Sequence, residues 1–69
     1  MDMTPVVSSN VAAVGYADTT LTVRFNSGAV YEYLGVPSEV HEKLMAADSV
    51  GQYLNKFVKP VFTCNKVEG

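Results

Sequence analysis

The chain has 69 residues, 48% hydrophobic and 17% charged, with a formal net charge of −2 and a sequence pI near 5.0. That length and composition give one globular domain with a thin stability margin, of roughly 3–10 kcal/mol at about 0.05–0.15 kcal/mol per residue. One cysteine, Cys64, and one histidine, His41, exclude an internal disulfide and a Cys/His zinc site. The acidic balance excludes a strong nucleic-acid binder, whose domain pI usually exceeds about 9.

Residues 1–6 read as a loose N-terminus, 7–63 as a single domain and 64–69 as a tail. The opening "MDMTPVVSSN" has neither the basic start nor the apolar stretch of a signal peptide, and no apolar run reaches the ~18–20 residues of a membrane span. The expectation is a cytoplasmic protein with no membrane contact. "VAAVGYA" (Val11 to Ala17) is apolar and strand-length, with Gly15 suggesting a bulge or a close neighbour. After the turn "ADTT", "LTVRFN" alternates, with Leu21, Val23 and Phe25 on one face and Thr22 and Arg24 on the other. "NSG" fits a three-residue hairpin loop, and "AVYEYLGV" is the third strand.

Pro37 ends that strand, and Ser38 can cap a helix whose first turn holds Glu39 and Glu42 and whose inner side carries Val40, Leu44 and Ala47. "SVGQ" opens a second helix as a Ser-x-x-Gln capping box. Val50, Tyr53, Leu54, Phe57 and Val58 follow at the spacing of a buried stripe until Pro60. "VFTCN" adds a short last strand or a packed tail. The predicted fold is α+β: a three-stranded antiparallel meander, then two helices on one face, with or without a short C-terminal strand.

An Asn26–Gly28 loop sets Phe25 opposite Ala29, and opposed residues share a face. Val23 then meets Tyr31 and Leu21 meets Tyr33, so both tyrosines belong to the core. The other face holds Thr22, Arg24, Val30, Glu32 and Leu34. Its aliphatic pair, Val30 and Leu34, makes Thr22, Arg24, Val30 and Leu34 a candidate interface with a second copy or another protein.

No catalytic constellation is visible, and no cofactor or metal site is expected. Ser8 and Ser9 lack a histidine partner or a glycine-flanked elbow, and read as backbone ligands ahead of the first long strand. His41 reads as a surface or half-buried residue and Cys64 as a small buried hydrophobe. "GAVYEYLG" lacks phosphate-loop spacing. Arg24, Lys56, Lys59 and Lys66 are the candidate nucleic-acid contacts, with Lys56 and Lys59 expected on one side of the second helix.

The blocks "VSSNVAAVGY", "LTVRFNSGAVYEYLGVP" and "DSVGQYLNKFVK" are similar to successive blocks of the KTSC domain, over roughly residues 7 to 62. The Tyr-x-Tyr motif is met by Tyr31 and Tyr33, the following turn by Val36 and Pro37, and the Ser-x-Gly stretch with its nearby aromatic by Ser49, Gly51 and Tyr53. The resemblance implies a small module of the kind found at the C-terminus of some lysyl-tRNA synthetases and as stand-alone bacterial and phage proteins. It implies a binding role, with weak RNA or DNA contact as one reading. A protein-interaction or self-associating module of phage or prophage origin is the other. The missing catalytic constellation gives the expectation of no enzyme activity.

Overall fold

A computed structural model describes residues 3–68, with the side chain of Glu68 outside the description. Five antiparallel strands form one sheet in chain order: β1 (Thr4–Pro5), β2 (Val11–Ala17), β3 (Thr20–Phe25), β4 (Val30–Tyr33) and β5 (Cys64–Glu68). Between β4 and β5 the chain forms helix α1 (Ser38–Ala46) and helix α2 (Val50–Tyr53), and α2 runs directly into a π-helical turn over Leu54–Val58.

The sheet therefore has five strands where the sequence pattern gives three. The added strands lie at its edges, where pattern is weakest. In β1, Pro5 lacks an N–H and suits an edge strand. The pairing is held by Thr4 opposite Val14 and Pro5 opposite Ala13, and Val6 N–H donates to the Ala12 carbonyl at 3.1 Å. Of the loose segment 1–6, residues 1 and 2 lie outside the described residues, as does Gly69 of the tail. Most of that tail is β5, joined to β4 from Tyr33 opposite Cys64 through Val30 opposite Glu68. The chain crosses to it where Leu34 N–H donates to the Thr63 carbonyl at 2.8 Å. Cys64 is exposed on this edge strand rather than buried.

The hairpin register is the one the loop chemistry dictates. Gly28 takes φ +97 and its N–H returns to the Phe25 carbonyl at 2.9 Å, closing the three-residue loop. Leu21 then lies opposite Tyr33 and Val23 opposite Tyr31. One face of the sheet thus presents Val11, Val14, Leu21, Val23 and Tyr33 to Val36, Leu44, Val50, Leu54 and Val58, and all ten form a single buried core. The β2 bulge falls between Val11 and Ala13, not at Gly15.

Three local expectations need correction. Pro37, not Ser38, occupies the N-cap of α1, and its carbonyl accepts from Val40 N–H at 3.0 Å. Phe57 is 55% exposed rather than part of the buried stripe. Lys56 and Lys59 line different clefts rather than one side of a helix. The last two share a cause. Lys59 N–H donates to the Leu54 carbonyl, five residues back, at 2.9 Å. A turn closed that way is wider than an α turn, so each residue advances less around the axis. Leu54 and Val58 stay inward while Phe57, three residues after Leu54, swings out. Ser49 does cap α2, accepting from Gln52 N–H at 3.3 Å.

Candidate functional site

Three segments distant in sequence are pinned together beside the Asn26–Gly28 loop. Asn26 N–H donates to the Asn10 carbonyl at 2.8 Å, and its side-chain Nδ2 donates to the carbonyls of Ser9, at 2.9 Å, and Ser8, at 3.3 Å. Ser8 Oγ in turn accepts from the N–H groups of Asn10 and Val11 at 3.3 and 3.4 Å, turning the chain into β2. The start of α2 closes the third side at Gly51. A Cβ there would meet Ser8 Oγ at 3.2 Å and the Asn10 side chain at 3.6 Å, so glycine permits the close approach.

The space left between these segments is a cleft of about 360 Å³. Phe25 and Tyr31 form its aromatic wall, edge to face with centroids 5.5 Å apart. The amides of Asn10, Asn26 and Asn55 and the ammonium group of Lys59 supply its polar rim. Lys59 Nζ sits 5.5 Å from the Phe25 ring centroid, within cation–π range. Among the described residues, no carboxylate lines the cleft. In a chain of net charge −2, that makes it a locally positive place.

Of the candidate basic residues, the structure brings two to this wall. Lys59 lines the cleft, and Lys66 pairs with Tyr31 across β4 and β5, which puts it on the same face of the sheet. Arg24 pairs with Ala13 and Val30 on the opposite face. Lys56 lines a second, shallower cleft of about 210 Å³ beside Tyr53 and Phe57, whose rings are 4.8 Å apart. No motif links Asn10, Phe25, Asn26 and Asn55, so the sequence alone does not mark them as parts of one site. They meet only when the sheet and α2 are assembled.

The motif tyrosines divide by depth. Tyr33 is 1% exposed in the core, and burial, aided by Cys64 and Tyr31, pushes its phenol up to about 12. Tyr31 is half-buried and reaches the cleft. Val36 anchors the turn before α1. Its N–H donates to the Thr19 carbonyl at 2.8 Å and its carbonyl accepts from the Tyr16 hydroxyl at 2.5 Å. The Tyr16 ring in turn stacks on His41, with centroids 4.6 Å apart. On the opposite sheet face Val30 is 7% exposed and Leu34 40%, and the buried Thr22 hydroxyl has no partner. Among the described residues no group of three metal-ligating side chains occurs, and no helix is long and apolar enough to cross a membrane.

These features define a small α+β domain with a polar, aromatic-walled cleft at one end of its sheet. The chain belongs to the KTSC domain family, whose profile matches residues 7–62. It is similar to a KTSC domain protein from Yersinia pestis whose crystal structure superposes with a TM-score of 0.91 at 35% identity, over 96% of each chain. A protein from Tsukamurella paurometabola is 48% identical over 87% of this chain and 92% of its own. A lysine–tRNA ligase from Nostoc punctiforme is 56% identical over 62% of this chain, which there spans only 8% of the relative's length.

Proposed function

We propose that this KTSC domain is a binding module, not an enzyme, that makes weak contact with single-stranded nucleic acid through the cleft face. The observation that carries this reading is the meeting of Phe25, Tyr31, Lys59 and Lys66 on one face. Aromatic rings flanked by cations are what a single strand needs, since bases stack on the rings while phosphates meet the lysines. Relatives named lysine–tRNA ligases carry a matching segment, which supports an RNA context. Binding is weak because few phosphates are neutralised and Glu39, Glu42 and Asp48, all exposed, repel the backbone.

Titration of labelled single-stranded RNA at several salt concentrations tests it. Each phosphate contact contributes about −0.7 to the slope of log K against log salt, so Lys59 and Lys66 give about −1.4, and about −3 if Arg24 and Lys56 join. Absence of binding even at low salt would exclude the reading.

A second reading, self-association through Thr22, Arg24, Val30 and Leu34, draws support from Leu34, 40% exposed on a face without helices. Val30 is already covered within the chain, so Leu34 carries that reading. Sedimentation of the wild type against Leu34→Thr measures it, and a wild type that is monomeric at millimolar concentration removes it.

A further inference from the structure

We infer that the cleft between the Asn26 turn and the π-helical turn is a site for one nucleotide, recognised through an exocyclic amino group on its base. This rests on the nucleic-acid reading above and goes beyond it by naming the unit bound and the atoms that select it. Size comes first: about 360 Å³ is near the lower end of the roughly 300–1,000 Å³ of ligand pockets. It suits one nucleotide rather than a folded helix.

Asn26 supplies the orientation. Both of its described side-chain hydrogen bonds use Nδ2, donated to the Ser8 and Ser9 carbonyls. Its amide plane is therefore fixed, and Oδ1, on a residue that lines the cleft, has no hydrogen-bond partner among the described residues. Such an acceptor receives the amino group of adenine or cytosine and repels the O4 carbonyl of uracil. Among the described residues, the side-chain amides of Asn10 and Asn55 form no hydrogen bond within the chain and can meet the remaining base edge or the ribose. The Lys59 ammonium, over the Phe25 ring in the free protein, occupies the place a base would take on that ring. On binding it moves aside to the phosphate while the base takes the aromatic face. Other ligand classes leave part of this lining unused. A sugar has no need of the lysine, and a peptide carboxylate has no need of three amides and a flat wall.

The same nucleotide chemistry can arrive free or within a strand, so the experiment uses both. The 15N-labelled chain is titrated with AMP, CMP and UMP and, separately, with a short single-stranded RNA, following amide resonances by NMR. The expected result is saturable shifts at Asn26, Asn55 and the Phe25–Tyr31 pair, with AMP and CMP binding at least about threefold more tightly than UMP. Lys59→Gln weakens AMP by about tenfold, the loss of a charge-assisted contact. Asn55→Ala, at an exposed position where the fold is expected to survive, weakens it too. Equal affinity for UMP overturns the inference. RNA binding that shifts Tyr31, Lys59 and Lys66 on the cleft face, with no saturable binding of any mononucleotide, overturns it while leaving the nucleic-acid reading standing. Binding of neither nucleotide nor RNA removes both.

Discussion

The two ends of the β3–β4 strand pair are built on opposite terms. At one end lies the tight turn from β2 into β3, where Asp18 and Thr19 both take positive φ, of 49 and 63. That is the backbone of a hairpin turn normally given to Asn-Gly, and a β-branched threonine there is an outlier. The strained turn presents the Thr19 carbonyl to Val36, and next to it Tyr33 is sealed in the core. At the other end the Asn26–Gly28 loop gives its positive φ to glycine. Its side chains turn outward to line the cleft, and Tyr31 stays half-open. One end spends its geometry on closing the fold, and the other leaves polar groups free to meet a ligand.

The largest expected effect sets the two tyrosines against each other. Tyr33→Ala should cost about 3–5 kcal/mol, the range for a fully buried large aromatic, enough to unfold much of so small a domain. Tyr31→Ala should cost only about 1–2 kcal/mol, because part of its ring is already in water. Urea melts of both variants measure the difference. Equal losses would mean that the open end is as closed as the other, and that the cleft is core.

Tyr33 also gives the closed end a signature in pH. Its phenol is raised from 10.0 to about 12, chiefly by burial, so the neutral form is favoured in the folded state. The stability linked to that neutral form is fully present below pH 10 and is lost as pH rises from about 10 to 12. The loss amounts to roughly 2–3 kcal/mol at about 1.4 kcal/mol per pH unit. Melting temperatures of the wild type and Tyr33→Phe across that window provide the check. The wild type should fall more steeply, and parallel curves would place the Tyr33 hydroxyl in water.

How much of this was legible in the sequence follows from where each signal lives. The register of Tyr31 and Tyr33 could be read because a three-residue loop and strict alternation leave one pairing. The buried face of α2 was half legible. Val50, Leu54 and Val58 are buried, but the π turn that exposes Phe57 has no spacing signature of its own. The edge strands lacked pattern because an edge buries little. Thr4 and Pro5 are exposed, and so are Cys64 to Val67, so no apolar alternation is selected there. The cleft was least visible. Asn10, Asn26 and Asn55 have no mutual spacing, and only assembly brings them together.

The smallest effect is a reciprocal exchange at the two turns. Thr19 stands where a left-handed conformation costs an L-residue roughly 1–2 kcal/mol. Thr19→Gly removes that cost but adds chain entropy to the unfolded state and loses the Thr19 hydroxyl bond to the Asp18 carbonyl, 2.6 Å long and exposed. The net expectation is a gain of about 0.5–1 kcal/mol. Gly28, at φ +97, has open space where a Cβ would go, so Gly28→Ala meets only backbone strain and should lose about 1 kcal/mol. Both changes leave the core untouched, so thermal melts read the turns alone. The opposite signs are the test. Loss of stability in Thr19→Gly would mean that the strained turn is held by more than its backbone bond to Val36. The Gly28→Ala variant should in addition disturb the cleft through Asn26, whereas Thr19→Gly should leave the amide resonances of Asn26 and Asn55 where they are.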